Sequence, residues 1–256
     1  MRTYVITGSA SGIGLATANL LRARGDVVIG VDRHDAEVIA DLATGPGRQA
    51  MVRGVSAHTG GHVDAVVANA GLASPTAATV AVNYYGTLAT LNGLRPLLLR
   101  SPNPRAVATA SMASLLTVDD QLETALLDGS EADAMDLAAT LERAGGDAIY
   151  ATTKRALARW IRRHAATADW AGAGIPLNSI APGIIRTPMV ADMIGTPEAA
   201  AGLLDLVPMP LHGIAEPAAC ASLIAWLTGT DNTHLCGQVV FIDGGSDVMI
   251  RGDSTW

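Results

Sequence analysis

The chain has 256 residues, a length that fits one domain with a single large core. Its 17 basic and 24 acidic residues give a net charge of −7, which argues against nucleic acid as a partner. We expect no membrane partner, because the sequence has neither a signal-like start nor an apolar run of about 18 residues. Cys220 and Cys236 stand in no metal-binding spacing, and the pair His58 and His62 lacks a third ligand. We therefore expect a cytoplasmic protein that binds no metal.

The first part of the chain alternates strands with helices. Runs of β-branched and other apolar residues predict strands at 4–7, 27–31 and 64–68. Apolar residues at helical spacing predict a helix from Ile13 to Arg24, and another is expected from Pro46 to about Thr59. A short apolar run, Val38 to Leu42, lies between the second strand and this second helix.

The alternation continues to the end of the chain. We predict further helices at 80–99, 149–170 and 216–227, and further strands at 105–110, 176–181 and 238–242. Alternating strands and helices indicate an α/β fold with a parallel sheet that is covered on both faces.

Two segments interrupt this alternation. Residues 116–147 hold nine acidic side chains and one basic, and their apolar spacing predicts one or two helices in a surface insertion. Residues 187–213 hold four prolines and many apolar side chains. We expect this second segment to form a lid over the substrate.

A glycine-rich turn follows the first predicted strand. Gly8, Gly12 and Gly14 stand between that strand and the next helix, with Ser11 and Ile13 among them. Such a turn lets backbone N–H groups and the helix N-terminus face a pyrophosphate, although glycine-rich turns also serve plain helix packing. Gly8 would permit the turn, Gly12 would let the backbone approach the phosphates, and Gly14 would let the helix pack tightly on the sheet.

The predicted cofactor is NAD. Asp32 lies 18 residues after Gly14 at the end of the second predicted strand, where a carboxylate can accept both ribose hydroxyl groups and would repel a 2′-phosphate. Arg33 is the counter-argument, because a guanidinium could accommodate that phosphate. No basic residue at 9–11 would assist it.

Tyr150 and Lys154 stand four residues apart on a predicted helix and so share one face. The pKa of a free tyrosine is about 10, and a neighbouring ammonium would favour its anion. Ser111 follows a predicted strand and could hydrogen-bond the substrate oxygen. A dinucleotide and an activated tyrosine together predict hydride transfer.

The order of these motifs, with Asn69-Ala70-Gly71 between them, resembles the short-chain dehydrogenase/reductase family over the whole chain. Residues 35–42, and the 38 residues between Ser111 and Tyr150, resemble its 3α-hydroxysteroid dehydrogenase/carbonyl reductase branch. The resemblance implies a single-domain Rossmann fold over residues 1–256, with a doubly wound parallel sheet of seven strands and helices on both faces.

The resemblance also implies roles for individual residues. The catalytic set would be Asn83, Ser111, Tyr150 and Lys154, with Asn83 holding a water that links Lys154 to solvent. Lys154 would also bond the nicotinamide ribose. Further cofactor contacts would come from Asp41 and Leu42 beside the adenine, from Asn69, Ala70 and Gly71 on the adenosine ribose side, and from Pro182, Gly183, Ile185 and Thr187 beside the nicotinamide.

These residues predict an NAD-dependent oxidoreductase that interconverts a secondary alcohol and a ketone, with Tyr150 as the acid/base. The apolar side chains of the lid favour a bulky apolar substrate such as a hydroxysteroid, with terpene or aryl ketones as alternatives. A non-catalytic NAD-binding regulatory protein on the same fold is the second hypothesis. It predicts decayed catalytic positions, whereas the four positions here are intact.

We also expect a homodimer. In the family, the long helices after Asn83 and Tyr150 commonly pair between subunits, and the insertion could cover that surface. We therefore expect two subunits to meet through residues 216–242, with a tetramer as the alternative.

Overall fold

The computed structural model describes residues 1–254, and a parallel sheet forms their centre. Its seven strands are β1 (Thr3–Thr7), β2 (Val27–Asp32), β3 (Val38–Ile39), β4 (Ala65–Ala68), β5 (Arg105–Thr109), β6 (Leu177–Pro182) and β7 (Val239–Ile242). Their order in space is β3-β2-β1-β4-β5-β6-β7, and all neighbouring strands are parallel. The sequence order reverses between β1 and β4, which is the place where doubly wound sheets form a crevice. The predicted α/β, Rossmann-type fold is confirmed.

Helices cover both faces of this sheet. They are α1 (Gly12–Ala23), α2 (Gly45–Thr59), α3 (Ala77–Val80), α4 (Thr87–Leu98), α5 (Asp120–Asp128), α6 (Glu131–Arg143), α7 (Ile149–His164), α8 (Pro197–Leu206), α9 (Pro217–Leu227) and α10 (Ser246–Arg251). Within residues 1–254, none of them has the length and apolar character needed to cross a membrane.

Alternation along the strands divides the core into two layers. On β1, Tyr4 and Ile6 point into the layer that contains α1 and α9. Val5 points into the opposite layer, which contains α2, α4 and α7. Because both faces are covered, the central strands are apolar at nearly every position, as expected for a parallel sheet.

The predicted helix at 80–99 is three pieces in the structure. After α3, the backbone forms a π-helix over Ala81–Gly86 before α4 begins. Asn83 lies within this π-helical turn and is fully buried. Such turns are rare and often accompany functional sites.

Two other predicted boundaries were wrong. The helix expected to reach residue 170 ends at His164, because the chain folds back and packs Trp170 edge-on against Trp160 at a centroid distance of 6.5 Å. The short helix α10 was not predicted. Its apolar side chains, among them Val248 and Met249, are exposed and so give no buried stripe.

The acidic segment at 116–147 was expected on the surface, but its inner side belongs to the core. Asp119 caps α5 by accepting the N–H of Leu122, and Ser130 caps α6 by accepting the N–H of Asp133. The two helices bury Leu122, Leu126, Ala134 and Ala138 in the same apolar cluster as α7. Their acidic outer faces remain exposed.

Gly14→Ala tests the packing of α1 on the sheet. A methyl group at Gly14 would lie 2.0 Å from the carbonyl oxygen of Gly8, and the backbone would have to move. We expect the free energy of unfolding to fall by about 1–3 kcal/mol, measured by chemical denaturation.

The matched control is Gly202→Ala in α8. No atom lies within 4 Å of a methyl group added there, so the helix should gain about 0.5–1 kcal/mol. Equal stability of Gly14→Ala and the wild type would show that α1 is not packed as described.

Candidate active site

A cleft of about 430 Å³ lies at the carboxyl ends of the central strands. It begins at the glycine turn after β1 and extends past β5 to the segment after β6. Most of the predicted site residues line it: Gly8, Ser11, Gly12, Ile13, Asp32, Asp41, Leu42, Asn69, Ala70, Gly71, Ser111, Tyr150, Lys154, Pro182, Gly183, Ile185 and Thr187. Gly14 and Asn83 are not among the lining residues and lie behind them.

The glycine turn has a backbone that larger residues would not adopt. Gly8 has φ +69° and Gly12 has φ +53°. An added methyl group at Gly8 would lie 2.9 Å from the Cα of Ala70, and one at Gly12 would lie 3.0 Å from a methyl of Thr187. The turn therefore forms a wall that approaches both β4 and the segment after β6.

Ser11 is the residue that precedes the first turn of α1. Its backbone is extended, and its hydroxyl makes no hydrogen bond to the helix N-terminus. An anion in front of α1 could therefore meet both this hydroxyl and the N–H groups of the first turn.

A chain of hydrogen bonds joins the glycine turn to Lys154. The hydroxyl of Thr7 accepts the N–H of Asn69 (3.0 Å) and of Ala70 (3.1 Å). The hydroxyl of Thr109 donates to Oδ1 of Asn69 (3.0 Å), and Nζ of Lys154 donates to the carbonyl of Thr109 (2.8 Å). Thr7 and Thr109 had not been predicted as site residues. Their contribution is to hold β1, β4 and β5 together at the cleft.

Lys154 and Tyr150 meet on one face of α7, as predicted. Nζ of Lys154 lies 5.8 Å from the centre of the Tyr150 ring. Lys154 is buried, and this burial lowers its pKa to about 8. It is also the one lysine in the whole sequence.

The expected lowering of the pKa of Tyr150 is not what the structure shows. Burial raises the pKa of this phenol above its usual value of 10.0, and a hydrogen bond from Ser111 lowers it only in part. The apolar surroundings are the reason, because they disfavour the phenolate. A further positive charge at the cleft is needed to stabilise that anion.

Ser111 lies directly after β5. Its Oγ accepts the N–H of Ala113 at 3.1 Å, in the short 3₁₀ helix Met112–Leu115. Because the oxygen already accepts this bond, the hydroxyl proton is available to an acceptor in the cleft.

Asn83 holds the loop after β4. Its Oδ1 accepts the N–H of Leu72 at 2.7 Å, and its Nδ2 donates to the carbonyl of Leu72 at 2.9 Å and to Thr153 at 3.3 Å. This side chain thus fixes Gly71 and Leu72 beside Lys154. The expected water between Asn83 and Lys154 stays a prediction.

At the other end of the cleft, Asp32 is placed by two backbone groups. Its carboxylate accepts the N–H of Ala10 at 3.0 Å and that of Arg33 at 2.7 Å, while the Arg33 side chain is exposed. Asp41 is exposed and accepts the N–H of Ala43 at 3.0 Å. Both carboxylates retain lone pairs for hydroxyl or amine donors.

An apolar cluster lies beside Tyr150. It consists of Met112, Ala113, Ile184, Val207 and Met209, with Leu116, Tyr150, Val190, Ile194, Leu203, Leu204, Ile214, Ala215 and Phe241 packed around it. Part of the predicted lid therefore forms a wall next to the phenol. By contrast, its residues Met189, Met193 and Leu211 are exposed.

Met209 fixes the C-terminal end of this lid. Its Sδ accepts the N–H of Ile184 at 3.2 Å, and its methyl group lies against Gly183. Leu211 donates its N–H to the carbonyl of Gly244 at 2.9 Å. The lid is thus bonded both to the segment after β6 and to the segment after β7.

Comparison with known proteins agrees with this arrangement. A family profile described as enoyl-(acyl carrier protein) reductase matches residues 8–247. The 3-alpha-hydroxysteroid dehydrogenase/carbonyl reductase of Comamonas testosteroni is 37% identical over 98% of this chain and 98% of its own. The cis-4-hydroxycyclohexanecarboxylate dehydrogenase of Sinomonas cyclohexanicum is 28% identical over 95% of this chain and 96% of its own.

A solved structure matches the whole fold. The crystal structure of the 3-alpha-hydroxysteroid dehydrogenase from Pseudomonas sp. B-0831 complexed with NADH has a TM-score of 0.89 and 38% identity, and the match covers 98% of this chain and 99% of that one. With the glycine turn, Ser111, Tyr150 and Lys154 gathered at one cleft, the chain belongs to the short-chain dehydrogenase/reductase family of oxidoreductases.

Proposed function

We propose that this protein is an NAD-dependent oxidoreductase that interconverts a secondary alcohol and a ketone, with Tyr150 as the acid/base. The observation that carries the proposal is the meeting of Ser111, Tyr150 and Lys154 at the same cleft as the glycine turn. The similarity to two 3-alpha-hydroxysteroid dehydrogenases, one of them complexed with NADH, supports it.

The residues of the cleft fit a dinucleotide. Gly8 and Gly12 keep the wall clear of side chains, and the Ser11 hydroxyl stands uncapped before α1, where a pyrophosphate would be stabilised. Asp32 at the end of β2 favours a free ribose and repels a 2′-phosphate, so we propose NAD over NADP. Titration with NADH and with NADPH measures this preference.

Each catalytic residue has one task in this proposal. When bound, oxidised nicotinamide supplies a positive charge and a hydride acceptor. Tyr150 accepts the hydroxyl proton of the alcohol, and Ser111 donates its free proton to the substrate oxygen and holds it in place. The Lys154 ammonium, 5.8 Å from the phenol ring, favours the phenolate and returns a proton to it in the reverse direction.

We propose a bulky apolar substrate, with a hydroxysteroid as the first choice. The wall beside Tyr150 consists of apolar side chains from the 3₁₀ helix after Ser111, from the lid and from β7. Such a wall stabilises a large hydrocarbon skeleton by burial. Terpene and aryl ketones share this chemistry, so a panel of steroid, terpene and aryl alcohols identifies the substrate class.

The two cysteines are free, as expected in a reducing compartment, and we propose a cytoplasmic location.

We also propose a homodimer through α9 and β7. The helix α5 lies on α7, so this face of the catalytic helix is occupied within the subunit. At the opposite side, β7 is the last strand of the sheet, its four residues are half-buried, and Trp226 on α9 is 46% exposed. An edge strand beside an exposed aromatic side chain is a suitable surface for a second copy.

Tyr150→Phe tests the catalytic proposal. Removal of the phenolic hydroxyl should lower kcat by roughly 100- to 10,000-fold, because general acid–base catalysis contributes this much. NADH binding, measured by fluorescence, should remain. The control is Tyr85→Phe, which removes a phenol that donates only to the carbonyl of Ser130 (3.4 Å), away from the cleft. Turnover of Tyr150→Phe near the wild-type level would favour the non-catalytic NAD-binding protein.

The single lysine allows its pKa to be measured directly. Isotopic labelling of lysine gives one side-chain NMR signal, and we expect it to titrate near pH 8 rather than at 10.5, because burial disfavours the ammonium. The unfolded chain keeps its proton up to the higher pH, so the contribution of Lys154 to the free energy of unfolding should rise between these two values.

Lys154→Met should consequently abolish turnover and yet increase the free energy of unfolding at neutral pH, by at most about 3 kcal/mol. This gain should shrink as the pH rises towards 10.5. A gain of the same size at both ends of this range would show that the ammonium is not destabilised by burial.

Sedimentation tests the dimer. Trp226→Glu places a charge on the proposed interface and should yield monomers at concentrations where the wild type is dimeric. A tetramer that persists on dilution of the wild type would contradict the proposed assembly.

A further inference from the structure

Arg155 follows Lys154 on α7, but its side chain extends to a different segment. Its Nε donates to the carbonyl of Ser114 at 2.7 Å, and a terminal nitrogen donates to the carbonyl of Leu116 at 2.8 Å. Arg155 is half-buried and is not among the residues that line the cleft. Its guanidinium therefore ties α7 to the end of the 3₁₀ helix Met112–Leu115.

This tied segment carries both kinds of substrate contact. Ser111 stands at its start, and Met112, Ala113 and Leu116 contribute to the apolar wall. Its internal hydrogen bonds are short-range: the N–H of Ser114 donates to Ser111 and that of Leu116 donates to Ala113. Bonds of this kind hold the shape of the turn but do not fix it relative to α7, which carries the phenol.

We propose that Arg155 is a positioning residue that sets the distance between Ser111 and Tyr150. This inference rests on the proposed function. A planar guanidinium offers two donors at a fixed angle, so it can hold two successive carbonyl groups at once. The Ser111 hydroxyl then keeps its direction, because the Ala113 N–H that it accepts belongs to the held segment. Arg155 acts through Ser111 and makes no contact with the reacting atoms.

Arg155→Gln tests the proposal with a secondary alcohol from the panel and NAD. We expect kcat to fall by roughly 10- to 100-fold, since displacement of a reacting group by about 1 Å costs this much. The KM for NAD and the affinity for NADH should not change. The matched control is Arg162→Gln, on the same helix, where an exposed guanidinium donates to the carbonyl of Gly237 at 3.1 Å and kcat should stay at the wild-type value.

A double-mutant cycle distinguishes positioning from a general structural effect. If Arg155 acts through Ser111, Arg155→Gln should cost nothing further in a Ser111→Ala background. An additive loss, or an unchanged kcat in the single variant, would overturn the proposal. If Arg155→Gln does not fold, Arg155→Lys takes its place in the same cycle, with a smaller loss expected because one ammonium cannot hold both carbonyls.

Two further readouts separate the remaining explanations. The NMR titration of Lys154 should be the same in Arg155→Gln as in the wild type. A shifted titration, or full activity of Arg155→Lys, would assign the effect to charge and overturn the positioning role. A wild type that binds NADH but oxidises none of the alcohols would refute the proposed function itself, whereas an active wild type with an unaffected variant refutes this inference alone.

Discussion

The arrangement of the site depends on one connected set of hydrogen bonds at the carboxyl ends of the strands. The Thr7 hydroxyl holds the start of the loop after β4, Asn69 accepts from Thr109, and the Thr109 carbonyl accepts the ammonium of Lys154. The same residues therefore determine both where the glycine turn lies and where the buried cation lies. Since each bond is inside the protein, where competition by water is small, the two halves of the cleft are held as one unit.

Much of this could be predicted from the sequence, and the exceptions have identifiable causes. Gly8 and Tyr150 were found because their function depends on local geometry: a positive φ in one case and an i,i+4 spacing in the other. The π-helix around Asn83 depends on the bonds of its side chain to a loop eleven residues away, and the end of α7 depends on the packing of Trp170. Thr109 acts through its backbone carbonyl, which no residue type encodes.

The choice of cation at the site follows from proton chemistry. Of 17 basic residues, Lys154 is the one lysine, and the other 16 are arginines. A guanidinium stays charged at every pH that proteins tolerate, whereas an ammonium can give up its proton when burial lowers its pKa. The pKa of about 8 keeps Lys154 charged near neutral pH and still close to releasing a proton. Arg155, one position later, has the opposite requirement, because two fixed donors matter there and no proton has to leave.

The packing of α5 on the catalytic helix has a consequence for how the protein behaves on dilution. Leu122 and Leu126 cover apolar side chains of α7 from within the same polypeptide. The burial that stabilises this helix is therefore a first-order property of the folded monomer, and mass action between subunits does not enter it. The geometry around Tyr150 persists at any protomer concentration, whether or not a second copy is bound.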